Sequence, residues 1–282
     1  MKIALIPNMT RENAPDVTKN VLSELSKADV TVFLSEDFRA FFGEADYIKY
    51  CDVSLQIAES DIVVTVGGDG TFIKSAKEAA LKNKPLLCIN AGKLAYLAGL
   101  ESDELSEISD VINGSCKTEK RMMLEATIID KNGKIIYHSN CLNDAVVSRS
   151  GNIRLMKMSI SCNGSSLMDY SADGVIISTP TGSTAYSLSA GGPVIEPQIE
   201  SILITPVCCH GLFSRSVVLR PDSFLEITHD NSGDVVLSCD GEEAVVVPAG
   251  AKVTVATSET QAEFIKVKSD TFIDILNKKI SN

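Results

Sequence analysis

The sequence predicts an α/β domain built on a parallel sheet, followed by an antiparallel, β-rich domain of the β-sandwich type. Three observations support this fold class. Apolar segments alternate with helical patterns up to residue 117, short alternating runs then follow, and a helical pattern returns at the end of the chain. Strand–helix alternation is typical of a parallel sheet covered by helices. We therefore expect domains at 1–117 and 118–268, with a C-terminal helix in 269–282 that returns to the first domain.

The first domain begins with a short apolar run that ends at a Pro-Asn turn, and a helical segment follows. The predicted strands are 2–6, 30–34, 62–66 and 85–89. The run 62–66 is almost uniformly β-branched, as expected of a strand that is covered on both faces. Helices are predicted from the apolar faces at 17–25 and 76–80, and from the pattern at 105–112. Ser102 is the expected N-cap of the last of these helices.

The second domain shows turn signals between its strand-like segments. Asn-Gly and Asp-Gly pairs accept positive φ at low cost and therefore predict tight hairpins. Such turns occur at Asn132-Gly133, Asn163-Gly164, Asn231-Ser232-Gly233 and Asp240-Gly241. The predicted tail helix carries Phe272, Ile273, Ile275 and Leu276.

Composition limits the possible partners. The chain has 282 residues, 44% hydrophobic content and a formal net charge of −11. An acidic surface repels phosphate backbones, so we expect no nucleic acid and no membrane as partner. The cysteines lack metal-ligand spacing and no segment is of secretory type, which favours a cytoplasmic protein with reduced thiols and no structural metal site.

The turn Gly67-Gly68-Asp69-Gly70 leaves the strand 62–66 and enters a helix. Consecutive glycines allow a phosphate to approach the backbone, although a tight structural turn would look the same. Asp69 fits a base or a Mg²⁺-associated group in phosphoryl transfer. Three other phosphate motifs fail: Leu94 follows Gly92-Lys93 where a Walker A loop needs Ser or Thr, Ile73 replaces the third small residue of a dinucleotide fingerprint, and protein-kinase signatures are missing.

A second segment, 173–193, reads as a strand, a turn shaped by Pro and Gly, and a hydroxyl-rich helix start. Thr181, Ser183 and Thr184 are candidates for capping that helix. Glycines and hydroxyls are denser here than capping requires, which indicates a loop that lines a ligand site.

These segments together closely resemble the NAD kinase family. The stretch 173–193 matches the family signature almost throughout, the glycine turn matches in type and position, and Cys141-Leu142-Asn143-Asp144 is similar to the family's Asn-Glu/Asp element. The resemblance covers most of the chain. It implies transfer of the γ-phosphoryl group of ATP to the 2′-hydroxyl of the adenosine ribose of NAD, which gives NADP.

The resemblance also implies roles for individual residues. Asp69 is similar to the family's proton acceptor and is the expected general base, and Gly70 would contact the ligand through its backbone. Lys74 and Arg154 fall where the family often has a basic contact, and a solvated charge is the alternative for each. The remaining expected ligand contacts are Asn143, Asp144, Asp173, Thr184, Ala185, Tyr186, Ser187, Leu188 and Ser189.

Several points stay open at this stage. Glu242 stands where the family often has glutamine, and His210 lies in a segment that departs from the family pattern. The expected cofactors are ATP and Mg²⁺ or another divalent metal, and the resemblance implies a homodimer or homotetramer. The sequence does not decide between ATP and polyphosphate as donor. The alternatives are a related lipid or sugar kinase with the same turn, and a non-catalytic dinucleotide sensor.

Overall fold

Two compact units make up the chain in the computed structural model, which describes residues 1–92, 95–151, 156–211, 214–230 and 234–280. The first unit comprises Met1–Lys120 and Ala262–Asn282, and the second comprises Arg121–Gln261. Two long strands therefore begin in one unit and end in the other. Within the described residues, no helix is both long and apolar enough to cross a membrane.

The first unit is built on a parallel sheet with the strand order β3-β2-β1-β4-β5. Its strands are β1 (Lys2–Pro7), β2 (Thr31–Leu34), β3 (Ile48–Tyr50), β4 (Ile62–Gly67), β5 (Leu86–Asn90) and β6 (Leu100–Glu101). Its helices are α1 (Ala14–Leu25), α2 (Arg39–Phe42), α3 (Val53–Glu59), α4 (Asp69–Ala80), α5 (Ile108–Ile112) and, near the C-terminus, α7 (Phe272–Ile280). The predicted parallel α/β fold is confirmed.

Burial explains why these segments form these elements. Every residue of β4 is buried, as its β-branched sequence predicts, and the apolar face of α1 packs into the same core. One expectation is wrong: Ser102 caps no helix. A 3₁₀ turn, Leu105–Glu107, precedes α5, and the Glu104 carboxylate accepts a hydrogen bond from the backbone N–H of Glu101. The helix thus begins later than the hydrophobic pattern indicates, because a tighter turn uses its first residues.

The second unit contains two antiparallel layers. One layer has the order β14-β13-β12-β9-β16-β17, and the other contains β11-β10-β15-β18 and the hairpin β7-β8. The elements are β7 (Lys117–Ile129), β8 (Ile135–Cys141), β9 (Asp144–Arg149), β10 (Met156–Cys162), β11 (Ser165–Ala172), β12 (Gly174–Ser178), α6 (Tyr186–Ser189), β13 (Ile202–Val207), β14 (Val217–Leu219), β15 (Leu225–His229), β16 (Val235–Cys239), β17 (Val245–Val247) and β18 (Lys252–Lys266). A single hydrophobic core lies between both layers, so the predicted antiparallel sandwich is confirmed.

The hairpin turns follow the sequence signals. Asn163 and Gly164 both have positive φ between β10 and β11, and Asp240 and Gly241 both have positive φ between β16 and β17. Two positive φ values match a type I′ turn, whose twist suits antiparallel strands. The predicted turn at 231–233 lies outside the described residues.

Candidate functional site

The glycine turn between β4 and α4 is shaped by two side chains that approach it closely. A Cβ atom on Gly67 would lie 2.7 Å from Thr71 Oγ1, and one on Gly68 would lie 2.9 Å from Arg11 Nη2. A Cβ atom on Gly70 would meet no atom within 4 Å. Gly67 is therefore confined by the Thr71 side chain, Gly68 leaves room for the tip of Arg11, and Gly70 presents its backbone to open space.

The Asp69 carboxylate is oriented by backbone donors from the segment after β5. Tyr96 donates its N–H to Oδ1 at 2.8 Å and to Oδ2 at 2.9 Å, and Leu97 donates to Oδ1 at 3.0 Å. An ionised carboxylate has about four lone-pair positions, so these bonds leave acceptor capacity on Asp69. The side chain is half-buried and beside the open face at Gly70. Asp69 is thus a positioned hydrogen-bond acceptor.

Two asparagines complete the surroundings of this turn. Asn8 follows β1 and donates from Nδ2 to Thr71 Oγ1 at 2.8 Å. Asn90 ends β5, accepts from the Gly92 N–H at 2.9 Å and donates to Glu101 at 2.7 Å. In the parallel register, all three strands end at one edge of the sheet, which is where open α/β sheets bind ligands. Asn8 and Asn90 belong to none of the motifs in the sequence, although their positions after predicted parallel strands were a usable signal.

Lys74 lies on α4 one turn beyond Gly70, so its side chain emerges on the same face of the helix. The residue is exposed. The structure therefore groups Asp69, Gly70 and Lys74 around one turn. Arg154 lies outside the described residues.

The Asn143–Asp144 segment between β8 and β9 is held by the carboxylate of Asp240. Asp240 accepts from three consecutive backbone N–H groups: Leu142 at 2.8 Å, Asn143 at 2.7 Å and Asp144 at 3.1 Å. Its own N–H donates to the carbonyl of Asp144 at 2.9 Å. Asp240 belongs to the hairpin turn after β16. The sequence predicted this turn but not that the Asp240 carboxylate would bind the backbone of the Asn143–Asp144 segment.

Thr179 and Gly182 hold the same segment from the other side. Thr179 donates its hydroxyl to the Leu142 carbonyl at 2.6 Å and its N–H to the Asn143 carbonyl at 2.8 Å. Gly182 donates its N–H to the Thr179 hydroxyl at 3.0 Å. A Cβ on Gly182 would lie 2.1 Å from the carbonyl oxygen of Asn143. Only glycine fits at this contact, because the obstructing atoms belong to the backbone.

The Asp144 side chain is buried and lies near a second carboxylate. Burial, followed by the charge of Asp240, raises the pKa of Asp144 from its ordinary 3.8 to about 7. The folded protein therefore binds a proton at Asp144 more tightly than the unfolded chain does.

This proton linkage predicts a pH effect on stability. Proton binding at Asp144 contributes to the free energy of unfolding. This contribution is fully present below the pKa of the unfolded chain, near 4, and is lost as pH rises through about 7. Asp144→Asn mimics the protonated form, so its stability advantage over the wild type should grow with pH, reaching on the order of 2 kcal/mol at pH 8.5. Thermal unfolding without ligand at pH 5, 7 and 8.5 measures this difference. A constant difference would contradict the raised pKa, and the exposed Asp103→Asn serves as the control.

The segment 184–189 divides into buried and exposed positions. Ser187 is fully buried, and its hydroxyl lies 2.9 Å from that of Thr205. Tyr186 and Leu188 are 47% and 40% exposed, and Ser189 is also exposed. The Thr184 hydroxyl bonds to the Thr181 carbonyl at 3.4 Å, and Ala185 is half-buried. The segment therefore exposes the side chains of Tyr186, Leu188 and Ser189, while the buried Ser187 anchors it to Thr205.

The capping interpretation of this segment is wrong. A 3₁₀ turn, Thr181–Thr184, has Pro180 as its N-cap and no side-chain cap. The Ser183 hydroxyl instead donates to the Pro180 carbonyl at 2.6 Å and accepts from the Ile195 N–H at 3.0 Å. Thr181 accepts from Arg121 at 3.3 Å. These hydroxyls therefore bond within the loop, and Ala185, which has no capping side chain, stands at the N-cap of α6.

Asp173 is separated from the Asn143–Asp144 segment within the second unit. It precedes β12, whose last residue, Ser178, pairs with Asp144, so about 17 Å of strand lies between the two aspartates. Arg149 donates to Asp173 at 2.8 Å, and this hydrogen bond lowers the pKa of Asp173. One copy of the second unit therefore does not bring all its predicted ligand residues together.

The two residues left open by the sequence have structural contacts. The Glu242 carbonyl accepts from the Ser238 hydroxyl at 2.8 Å, and the His210 N–H donates to the Ser171 carbonyl at 2.7 Å. Among the residues that the structure describes, no group of three His, Cys, Asp or Glu side chains could hold a metal ion.

Comparison with known proteins yields two family matches. The model of the ATP-NAD kinase N-terminal domain matches residues 3–115, and that of the ATP-NAD kinase C-terminal domain matches residues 142–267. A NAD kinase of Caldanaerobacter subterraneus subsp. tengcongensis is 36% identical over 284 residues, with 99% of each chain covered. A NAD kinase of Symbiobacterium thermophilum is 36% identical over 282 residues, again with 99% of each covered.

Two solved structures share the fold. Yeast NADH kinase, solved as a complex with NADH, superposes with a TM-score of 0.91 at 24% identity, covering 100% of this chain and 87% of that one. A NAD kinase from Archaeoglobus fulgidus, solved in complex with ATP, gives a TM-score of 0.74 at 19% identity, covering 100% and 98%.

Proposed function

The chain belongs to the NAD kinase family and is a NAD kinase, and we propose that Asp69 is the general base of its reaction. In that reaction the 2′-oxygen of the adenosine ribose of NAD bonds to the γ-phosphorus of ATP. The bond from that phosphorus to the bridging oxygen breaks and releases ADP, and the hydroxyl proton passes to Asp69. The observation that carries the proposal is the Asp69 carboxylate itself, fixed by three backbone hydrogen bonds with acceptor capacity remaining.

The surroundings of Asp69 suit this role. Phosphoryl transfer depends mainly on alignment and charge neutralisation, so one well-placed base is chemically sufficient. The three backbone bonds restrict rotation of the carboxylate and so hold its remaining lone pairs in a fixed direction. The space beside Gly70 lets a ribose approach the turn, and Lys74 adds a positive charge on the same helix face.

We assign NAD binding to the second unit. Asn143 has an amide that can read an adenine edge, and Asp144 has a carboxylate that suits ribose hydroxyls. Tyr186 and Leu188 present exposed apolar surface, while Thr184, Ala185 and Ser189 line the same loop. The buried Ser187 fixes that loop through its hydrogen bond with Thr205. For Arg154, we propose a contact between its positive charge and the ligand.

Asp240 is a positioning residue in this proposal, because it fixes the backbone of Asn143 and Asp144. Asp240→Asn keeps a residue type that tolerates φ of 53° but turns one acceptor oxygen into a donor. That donor would face an N–H group such as that of Leu142, so we expect a loss of about 1–3 kcal/mol in unfolding free energy and a KM for NAD raised about tenfold.

Asp130→Asn is the matched control for this variant. Asp130 also accepts two backbone N–H groups at a hairpin of the second unit, those of Asn132 at 2.8 Å and Lys134 at 2.9 Å. It should lose stability without a change in the KM for NAD. Equal KM values for both variants and the wild type would refute the positioning role of Asp240.

Mg²⁺ is the proposed divalent cofactor, and it would supply neutralisation of phosphate charge. Because the described residues form no three-ligand cluster, the site fits a cation that arrives with the triphosphate and keeps water ligands. From the protein, the Asp69 carboxylate would hold that cation, either directly or through a water ligand.

We further propose a homodimer or homotetramer located in the cytoplasm. The distance between Asp173 and the Asn143–Asp144 segment supports an oligomer in which a neighbouring copy completes the NAD site. Size-exclusion chromatography with light scattering measures the assembly. A monomer that remains fully active would contradict the shared site.

The activity is tested by incubating the purified protein with NAD, ATP and Mg²⁺ and measuring NADP and ADP. Equal amounts of the two products are expected. NAD binding by calorimetry without NADP formation, with ATP or polyphosphate as donor, would instead indicate a non-catalytic sensor.

A further inference from the structure

The guanidinium of Arg11 occupies space that two glycines leave open. Its Nη2 lies 2.9 Å from the position of a Cβ on Gly68, and its Nη1 lies 3.3 Å from the position of a Cβ on Gly92. Gly68 precedes Asp69 directly, and Gly92 follows β5. A side chain on Gly68 would displace the guanidinium and one on Gly92 would crowd it, so the cation lies between these two glycine loops.

The loop that carries Arg11 is ordered by its own hydrogen bonds. The Arg11 N–H donates to the Asn8 carbonyl at 3.1 Å, and the Arg11 carbonyl accepts from the Ala14 N–H at 3.2 Å. The Thr10 hydroxyl donates to Asn8 Oδ1 at 2.6 Å. Asn8 in turn bonds to Thr71 in the first turn of α4. The position of Arg11 is therefore tied to the glycine turn.

The Arg11 side chain forms no hydrogen bond and no ion pair with any residue that the structure describes. A guanidinium that only stabilised the fold would be expected to bond to a carboxylate or a carbonyl oxygen, since it carries five donors. No ion pair joins Arg11 to Asp69, whose carboxylate accepts from the Tyr96 and Leu97 N–H groups. The charge of Arg11 therefore remains available to a ligand.

We infer that Arg11 binds the phosphates of ATP, with its fork directed at the transferring phosphoryl group. This inference rests on the proposed role of Asp69, because the phosphoryl group that leaves ATP must reach the hydroxyl that Asp69 deprotonates. The guanidinium of Arg11 lies beside Gly68, the residue that precedes Asp69. It is therefore placed to contact a phosphoryl group that approaches Asp69. A planar guanidinium bonds to phosphate oxygens in a bidentate manner.

Arg11 also explains how an acidic chain accepts an anionic donor at this turn. The net charge of −11 and the Asp69 carboxylate both repel a triphosphate. A cation between the two glycine loops offsets that repulsion locally and can stabilise the charge that spreads over the phosphoryl oxygens during transfer.

The test uses Arg11→Gln and Arg11→Lys in the full chain, with Lys19→Gln as a control that removes an exposed charge from α1. Arg11→Gln should raise the KM for ATP about 10- to 100-fold, leave the KM for NAD within about twofold, and lower kcat. Arg11→Lys should recover part of the loss. Calorimetric binding of MgATP should weaken by the same factor in Arg11→Gln, and this measurement is independent of turnover.

Each outcome bears on one proposal. A KM and an affinity for ATP that are unchanged in Arg11→Gln overturn the inference, as does a rise in the KM for NAD alone, which would place the guanidinium at the dinucleotide. If Asp69→Asn keeps its turnover while Arg11→Gln loses ATP affinity, the base assignment fails and the phosphate contact stands. Arg11 is exposed, so these variants are expected to fold, and thermal unfolding checks this.

Discussion

Asp69→Asn should lower kcat for NADP formation about 10²- to 10⁴-fold, the usual contribution of a general base. Asparagine keeps one oxygen that can accept from the Tyr96 and Leu97 N–H groups, so the loop and the fold should survive. What the variant removes is the ability to take the hydroxyl proton. Initial rates at saturating NAD and ATP, together with NAD affinity by calorimetry, separate loss of chemistry from loss of binding.

Asp103→Asn is the matched control, because it removes one exposed carboxylate from the same unit and should leave kcat unchanged. A turnover of Asp69→Asn within about fivefold of the wild type would exclude Asp69 as the base. A large rise in the NAD dissociation constant with unchanged kcat would instead assign Asp69 to binding.

Gly182→Ala should destabilise the second unit more than any other substitution proposed for it. The new Cβ would lie 2.1 Å from the Asn143 carbonyl oxygen and 2.5 Å from its carbonyl carbon, so backbone must move. Overpacking against rigid groups costs about 1–3 kcal/mol and sometimes more, and we expect the upper end of this range or beyond. The displaced Asn143 should also weaken NAD binding. Thermal unfolding and NAD calorimetry measure the two effects.

Two further variants keep this prediction testable if Gly182→Ala does not fold. Gly70→Ala adds a methyl group where nothing lies within 4 Å, and it should retain or slightly gain stability because alanine favours the helix. Thr179→Val removes the hydroxyl that links Leu142 to Gly182 and should cost about 1–2 kcal/mol while the protein folds. A Gly182→Ala variant as stable as the wild type would show that the contact is not tight.

The elements of the fold were predictable wherever a local pattern specified them. The β-branched run of β4, the apolar face of α1 and the turns at Asn163-Gly164 and Asp240-Gly241 each depend on neighbours within a few residues. The start of α5 and the bonding of Ser183 were predicted wrongly. In both places a 3₁₀ turn replaced the expected capped helix, and its tighter hydrogen bonds leave the same apolar pattern in the sequence.

The residues of the candidate site also divide into those that a local motif predicted and those that only the structure identified. The glycine turn, Asn143, Asp144 and the stretch 173–193 were found from motif and resemblance. Arg11 and the clamping role of Asp240 were not found, because the backbone groups that these side chains approach lie far away in the sequence. Asp240 bonds to backbone groups that are 96 to 98 positions away, and a contact of that kind leaves no periodicity to read.

By itself, the sequence of this chain determined that an α/β domain precedes a β-rich one. It also determined the main strands of the first domain, the turns at Asn163-Gly164 and Asp240-Gly241, and the residues of its family motifs. These properties depend on side-chain type and short spacing. The tertiary structure alone decided which donors orient Asp69, which carboxylate clamps the Asn143–Asp144 segment, and which end of β12 pairs with Asp144. The physical reason is that such contacts form only when strand register and loop packing bring distant backbone groups within hydrogen-bonding distance.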